Sequence, residues 1–342
     1  MPTIFDYVNA QEIGSYIENQ PNNEPPYLGA TLFPARKQVG LDLSWIKGSG
    51  GAPVALMPSE FDTKATVRDR IGFTDVKTEM PFFRESMRIG ERERQQLVTF
   101  LAANNSEAVK TTVRKIYDDA TTLVKGANVQ PERMIMQLLS EGKISISANR
   151  VDYEYDYGMK DDHKEDLLAG ARWSEGSSTP IEDIQRWQEV VEDNTGTKPT
   201  RAITTRKAMQ ALIKHVKAGV DSRLGFITDA EVTRYIQQEL GLSIAVYNKK
   251  YRDEKGVAKN FFAEGVFTLI PEGNLGQTVY GTTPEEIDLM DGNTEADVRI
   301  VNTGVAVTTY KEVHPVNAVT VVSEIVLPSF ERIDEIFIAK VL

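Results

Sequence analysis

Three histidines and no cysteine bound the chemistry open to this chain of 342 residues. Without cysteine there is neither a disulfide nor a thiolate nucleophile, and folding in the cytosol is the natural expectation. His163 stands in Asp161-Asp162-His163, with Glu165 and Asp166 just behind, and these are residue types that hold divalent metals. The run lacks helical ligand spacing and lies in a polar loop, so a solvated charge run explains it better than a metal cluster does. His215 falls on an amphipathic helical period and His314 precedes Pro315, which suits surface or packing residues better than general bases. No Gly-x-Ser-x-Gly elbow accompanies any of the three. Gly48-Ser49-Gly50-Gly51 follows a strand period, as a phosphate loop does, but no Gly-Lys-Ser or Gly-Lys-Thr comes after it and Ala52-Pro53-Val54 opens no helix. Glu285 and Glu286, after Thr283-Pro284, are the acids of a first helical turn, which the helix dipole accounts for without catalysis. The reading is of a protein that is not an enzyme, with no catalytic, cofactor or metal residues.

Contact chemistry is better represented. Val39, Leu41, Leu43 and Trp45 alternate with Gln38, Gly40, Asp42 and Ser44, the period of a strand with one apolar and one wet face. No helical period interrupts the stretch from Phe33 to Glu93, so it reads as a long two-stranded ribbon. A lone ribbon buries too little apolar surface to offset the entropy of ordering it, so its apolar face is expected to lie on another subunit. Trp45 has two readings, burial against a neighbouring subunit or on its own arm. Between Ser59 and Arg70 the ribbon tip carries Glu60, Asp62 and Asp69 against Lys64, Arg68 and Arg70, too mixed for a grip on nucleic acid. Arg68 and Arg70 are therefore expected to contact a neighbouring subunit. Arg84, Glu85, Arg88 and the charges through Arg94 read either as a solvated helix start or as ionic contacts between subunits.

The elements that position these residues follow from apolar period. The first 30 residues are polar, broken by Pro21-Asn22-Asn23-Glu24-Pro25-Pro26, and read as an arm with one short helix. Val109, Val113, Ile116, Ala120, Leu123 and Val124 predict a helix over Ser106–Lys125 that stops at Gly126, and a second runs from Pro131 to Gly142. Ile144 and Ile146 pair across an Asn149-Arg150 turn with Val151, Tyr153, Tyr155 and Tyr157. Residues 158–179, rich in Gly, Ser and charge, are the expected domain boundary. Beyond them helical periods at Ile181–Val191, Arg206–Lys217 and Asp229–Leu240 alternate with strand signals at 202–204, 243–247, 266–270, 298–301 and 304–309. Ile336, Phe337, Ile338 and Val341 predict a terminal strand that returns to the sheet of the domain before residue 180.

The net charge is −11, and the stretch from Phe261 to Leu342 alone holds 13 acids against 4 bases. Such a surface is a poor holder of duplex DNA, whose binding rests on phosphate neutralisation; it aids solubility or keeps nucleic acid from sticking. The first residues show no basic segment followed by an apolar core, and no run approaches the roughly 20 apolar residues of a membrane span.

The blocks Phe33-Pro34-Ala35-Arg36, Leu41-Asp42-Leu43-Ser44-Trp45-Ile46-Lys47-Gly48 and Pro81-Phe82-Phe83-Arg84-Glu85, in this order, closely resemble the tailed-phage major capsid protein E family, the lambda-like coat proteins. The resemblance implies an α+β fold of the Hong Kong 97 capsid type. It places an N-terminal arm at 1–32, an extended E-loop at 33–90, a P-domain with a spine helix at 91–179, an A-domain at 180–324 and a strand at 325–342 returning to the P-domain. It also implies hexamers and pentamers in an icosahedral procapsid assembled in the host cytoplasm, which encloses DNA in the virion and works with scaffold, portal and decoration proteins. Two other readings stay open: an encapsulin-like shell around protein cargo, and a soluble metal-dependent or acid/base enzyme using Asp161 to Asp166.

Overall fold

The computed structural model describes residues 9–20, 25–47, 74–103, 105–148, 150–219, 228–292, 296–312, 314 and 317–342. The chain divides into two compact units, Met1–Leu43 with Lys77–Glu132 and Gln277–Ser329, and Ser44–Val76 with Arg133–Gly276 and Phe330–Leu342.

The first unit is built on one strand, Asn317–Ser329, of which all thirteen residues are buried. Val305–Glu312 pairs antiparallel along one edge and carries Asp297–Val301 on its far side. Along the other edge Phe82–Ile89 lies against Ala318–Ile325, and Gln277–Tyr280 continues beside Val326–Ser329. Ala35–Lys37 extends the sheet, parallel to Gln277–Tyr280. Val109, Ile116, Ala120, Leu123 and Val124 form the helix stripe that the apolar period predicts, and they pack with Leu97, Val305, Val307 and Val322. The arm contributes to the same core. Its helix Ala10–Asn19, capped by Asn9, buries Ile13 fully and approaches so closely that a Cβ on Gly14 would lie 2.6 Å from Arg299 Cγ.

The stripe belongs to a single helix, Ser106–Glu141. The expected break at Gly126 does not occur, because this glycine keeps helical φ, whereas Gly142 at φ 75 ends the helix with its amide on the Leu138 carbonyl at 2.9 Å. Pro131 sits inside; it removes one intrahelical bond without stopping the helix.

In the second unit, a five-stranded sheet runs in the order Lys164–Asp166, Phe337–Lys340, Val266–Ile270, Arg201–Thr204, Ser243–Val246. Helices Pro180–Thr195, Arg206–Ala218 and Asp229–Leu240 supply Trp187, Val191, Met209, Leu212, Val232 and Ile236 to its core. Trp173 meets Phe267 at 5.2 Å between ring centroids, and Trp187 stacks on Phe337 at 5.4 Å. The segment 158–179 is therefore inside this unit and is no linker. Leu167 and Trp173 are buried in the core, Lys164–Asp166 is a strand, and the Trp173 amide reaches the Val341 carbonyl at 2.9 Å. The terminal strand Phe337–Lys340 pairs with Lys164–Asp166 on one side and Val266–Ile270 on the other. The hairpin Lys143–Ala148 with Val151–Asp156 turns through Arg150 at φ 66.

Candidate functional site

Both legs of the ribbon are anchored in the first unit, around Gly281. The incoming leg is Ala35–Lys37, after which Gln38 donates its amide to Tyr280 O at 2.8 Å. Gly40, at φ 96, then donates its amide to Thr282 Oγ1 and accepts from Thr282 N, both at 3.3 Å. Leu41 O receives Met80 N of the returning chain at 2.9 Å. Everything converges on Gly281, where a Cβ would stand 2.7 Å from Gly40 O and 2.7 Å from Ile325 Cγ2, so only glycine fits. The ribbon itself is the pair Asp42–Lys47 with Thr74–Glu79, and the outgoing leg is Phe82–Ile89.

Directly after Gly281 comes a short helix, Pro284–Asp291. Thr283 caps it by accepting the Glu286 amide at 3.3 Å, proline opens its first turn and Gly292 at φ 69 closes it. Its first two acids each hold one leg. Glu286 takes Lys37 Nζ at 2.5 Å, while Lys37 also donates to Gly281 O at 2.8 Å. Glu285 pairs with Arg84 and accepts Ser323 Oγ at 2.8 Å, and Arg84 lies 4.7 Å over the Phe82 ring. These charge-assisted bonds fix where the ribbon leaves the sheet. The sequence pattern marked Glu285 and Glu286 only as first-turn acids, because nothing local shows that two bases some 200 or more residues earlier fold back onto them.

The other expected contact residues separate. Glu85 and Arg88 are exposed on the outgoing leg and have no ion pair among the described residues. Arg88 lines an open cleft of about 180 Å³ with Met87, Glu93, Lys115 and Ile116. Trp45 belongs with Tyr157 to the second unit and is buried there, the two rings 5.2 Å apart, while burial pushes the Tyr157 phenol well above its usual pKa. Arg68 and Arg70 lie outside the described residues.

His163 belongs to the second unit's framework. Buried, it takes the Ile336 carbonyl at Nδ1 and Asn194 at Nε2, each at 3.0 Å, which makes Nδ1 the donor and Nε2 the acceptor. Desolvation lowers its pKa. No group of three or more His, Cys, Asp or Glu side chains among the described residues is arranged to hold a metal ion, and none of the described helices is long and apolar enough to cross a membrane. One group that sequence reasoning missed is Glu324 in the central strand, 1% exposed, with both carboxylate oxygens lacking a hydrogen-bond partner among the described residues.

Known proteins give the arrangement its context. A protein described as a prophage capsid protein of E. coli CFT073 superposes with a TM-score of 0.62 at 16% identity, over 98% of this chain and 99% of its own. A phage-related protein from Bordetella bronchiseptica RB50 does so with a TM-score of 0.55 at 14% identity, over 97% of each chain. No curated protein sequence matches the chain. The fold is the mixed helix-and-sheet fold of phage capsid proteins of the Hong Kong 97 type. The phage major capsid protein E family matches residues 9–341, and the chain belongs to that family, as a structural protein of a phage capsid.

Proposed function

We propose that the protein is the repeating subunit of an icosahedral head, joining copies of itself into hexamers and pentamers that enclose phage DNA. The supporting observation is the ribbon's first leg. It is pinned by Lys37 and Gly40, yet it leaves Val39 82% and Leu41 45% exposed, apolar side chains that a copy-to-copy contact would cover. In the family's terms the ribbon takes the part of the E-loop, the first unit that of the P-domain and the second that of the A-domain. The acidic balance after Phe261 suits a wall that holds DNA without binding its sequence. Assembly would take place in the host cytoplasm, with scaffold, portal and decoration proteins as partners.

The test is to express the chain alone and with its scaffold, then follow it by sedimentation and electron microscopy. Capsomers or closed shells are expected. A species that stays monomeric at high concentration with scaffold present overturns the reading, and protein cargo in place of DNA in particles purified from infected cells points to a compartment instead.

A further inference from the structure

The helix Pro284–Asp291 is amphipathic the wrong way round for a surface helix. Among its eight residues the only buried one is Glu286, and Glu285 is turned inward onto Arg84 and Ser323. Ile287, Leu289 and Met290 are 48%, 44% and 64% exposed. A helix held to its own unit by its acids, with every large apolar side chain facing out, is explained only by something that covers the apolar face. The patch continues beyond the helix, since Val39 and Leu41 flank Gly40, which is bonded to Thr282 two residues before the helix begins.

Charge selects the occupant. The helix holds four acids and no base, and its outward Asp288 and Asp291 have no ion pair among the described residues. Two such patches repel one another, so a symmetric contact of the patch with itself is disfavoured and the contact is head to tail. The matching surface is present on the same chain. Helix Arg206–Ala218 carries Arg206, Lys207, Lys214 and Lys217 with no acid, in a chain of net charge −11. Lys207 and Lys217 are engaged by Glu264 and Asp229, whereas Arg206 and Lys214 are exposed and have no ion pair among the described residues.

We infer that the acidic, apolar-faced helix Pro284–Asp291 of one copy docks on the basic helix Arg206–Ala218 of the next. Burial of Leu289 and Met290 supplies the attraction, and Asp288 and Asp291 against Arg206 and Lys214 set the register. A head-to-tail contact of this kind closes into a ring when its rotation allows. This inference rests on the shell reading above, and the experiment separates the two.

The native chain contains no cysteine, so single cysteines report cleanly. The Lys214→Cys/Met290→Cys double variant, assembled and then oxidised, is expected to give a ladder of covalent multimers, while either single variant gives none. Dimers from Met290→Cys alone show a symmetric contact and overturn the inference. Independently, Asp288→Lys/Asp291→Lys should melt as the parent does but lose particles, and adding Arg206→Glu/Lys214→Glu should restore them. Normal particles from the first pair, or no restoration by the second, also overturn it. Failure of the unsubstituted protein to assemble strikes at the shell reading instead.

Discussion

Glu324 is the residue whose protonation the fold controls most tightly. It lies in the middle of the central strand, opposite Val305 on one side and Phe83 on the other. Desolvation raises its pKa well above the usual 4.5. Burial also shifts the Tyr280 phenol upward, and the Glu324 charge raises it further. The folded protein therefore holds the Glu324 proton to a higher pH than the unfolded chain does. The contribution to stability is full below the unfolded pKa and declines as the pH rises from there toward the raised folded value. Glu324→Gln preserves the shape and removes the ionisation. Its melting temperature should exceed the parent's at about pH 8 and match it near pH 4, a difference that a pH series of thermal melts reads directly. Equal melting curves at both ends would mean that the carboxyl is solvated in solution.

At the scale of elements, the two legs of the ribbon share one clasp, because Glu285 and Glu286 are adjacent and hold Arg84 and Lys37. Both acids are largely buried while Lys37 and Arg84 stay partly exposed, and glutamine keeps the side chain's shape and an oxygen that can accept, so Glu285→Gln/Glu286→Gln should lower the melting temperature moderately without unfolding the unit. Its effect belongs to local opening. Amide exchange should accelerate in 35–43 and 77–89 and stay unchanged in the second unit, whose core does not involve the clasp. Uniform exchange across both units would show that the acids serve general stability instead. Much of the framework around this clasp is legible in the sequence. The periods at 181–191, 206–217 and 229–240 match helices Pro180–Thr195, Arg206–Ala218 and Asp229–Leu240, since each has its stripe and an N-terminal residue suited to a cap or first turn. The central strand Asn317–Ser329 was not legible. Buried on both faces, it shows no alternation, and Ser323, Glu324 and Pro328 disguise its apolar run. Residues 158–179 misled for the opposite reason. Their composition is that of a loop, while two side chains, Leu167 and Trp173, tie them into the core. At the clasp, spacing reveals the helix start at Thr283 but not its long-range partners.

Across the whole molecule, the first unit's sheet decides which part of the ribbon is separable. Phe82–Ile89 is paired along its length with Ala318–Ile325, and Ala35–Lys37 with Gln277–Tyr280, so removal of the legs would open the sheet itself. The charges between Ser59 and Arg70 are independent of that pairing in sequence, and three acids with three bases form a set suited to fixing register with a second copy. An exposed pair contributes about 0.2–1 kcal/mol, which is negligible for one chain but recurs at every copy around a closed lattice. Arg68→Glu/Arg70→Glu is accordingly expected to leave the melting temperature of the unassembled protein within about a degree of the parent's, on the scale of surface substitutions. Its shells should become fewer, malformed and sensitive to salt, because screening weakens whatever exposed pairs remain. Electron microscopy of both proteins across a salt series makes the comparison. Normal particles from the double variant at every salt concentration would remove the ribbon tip from the assembly contacts.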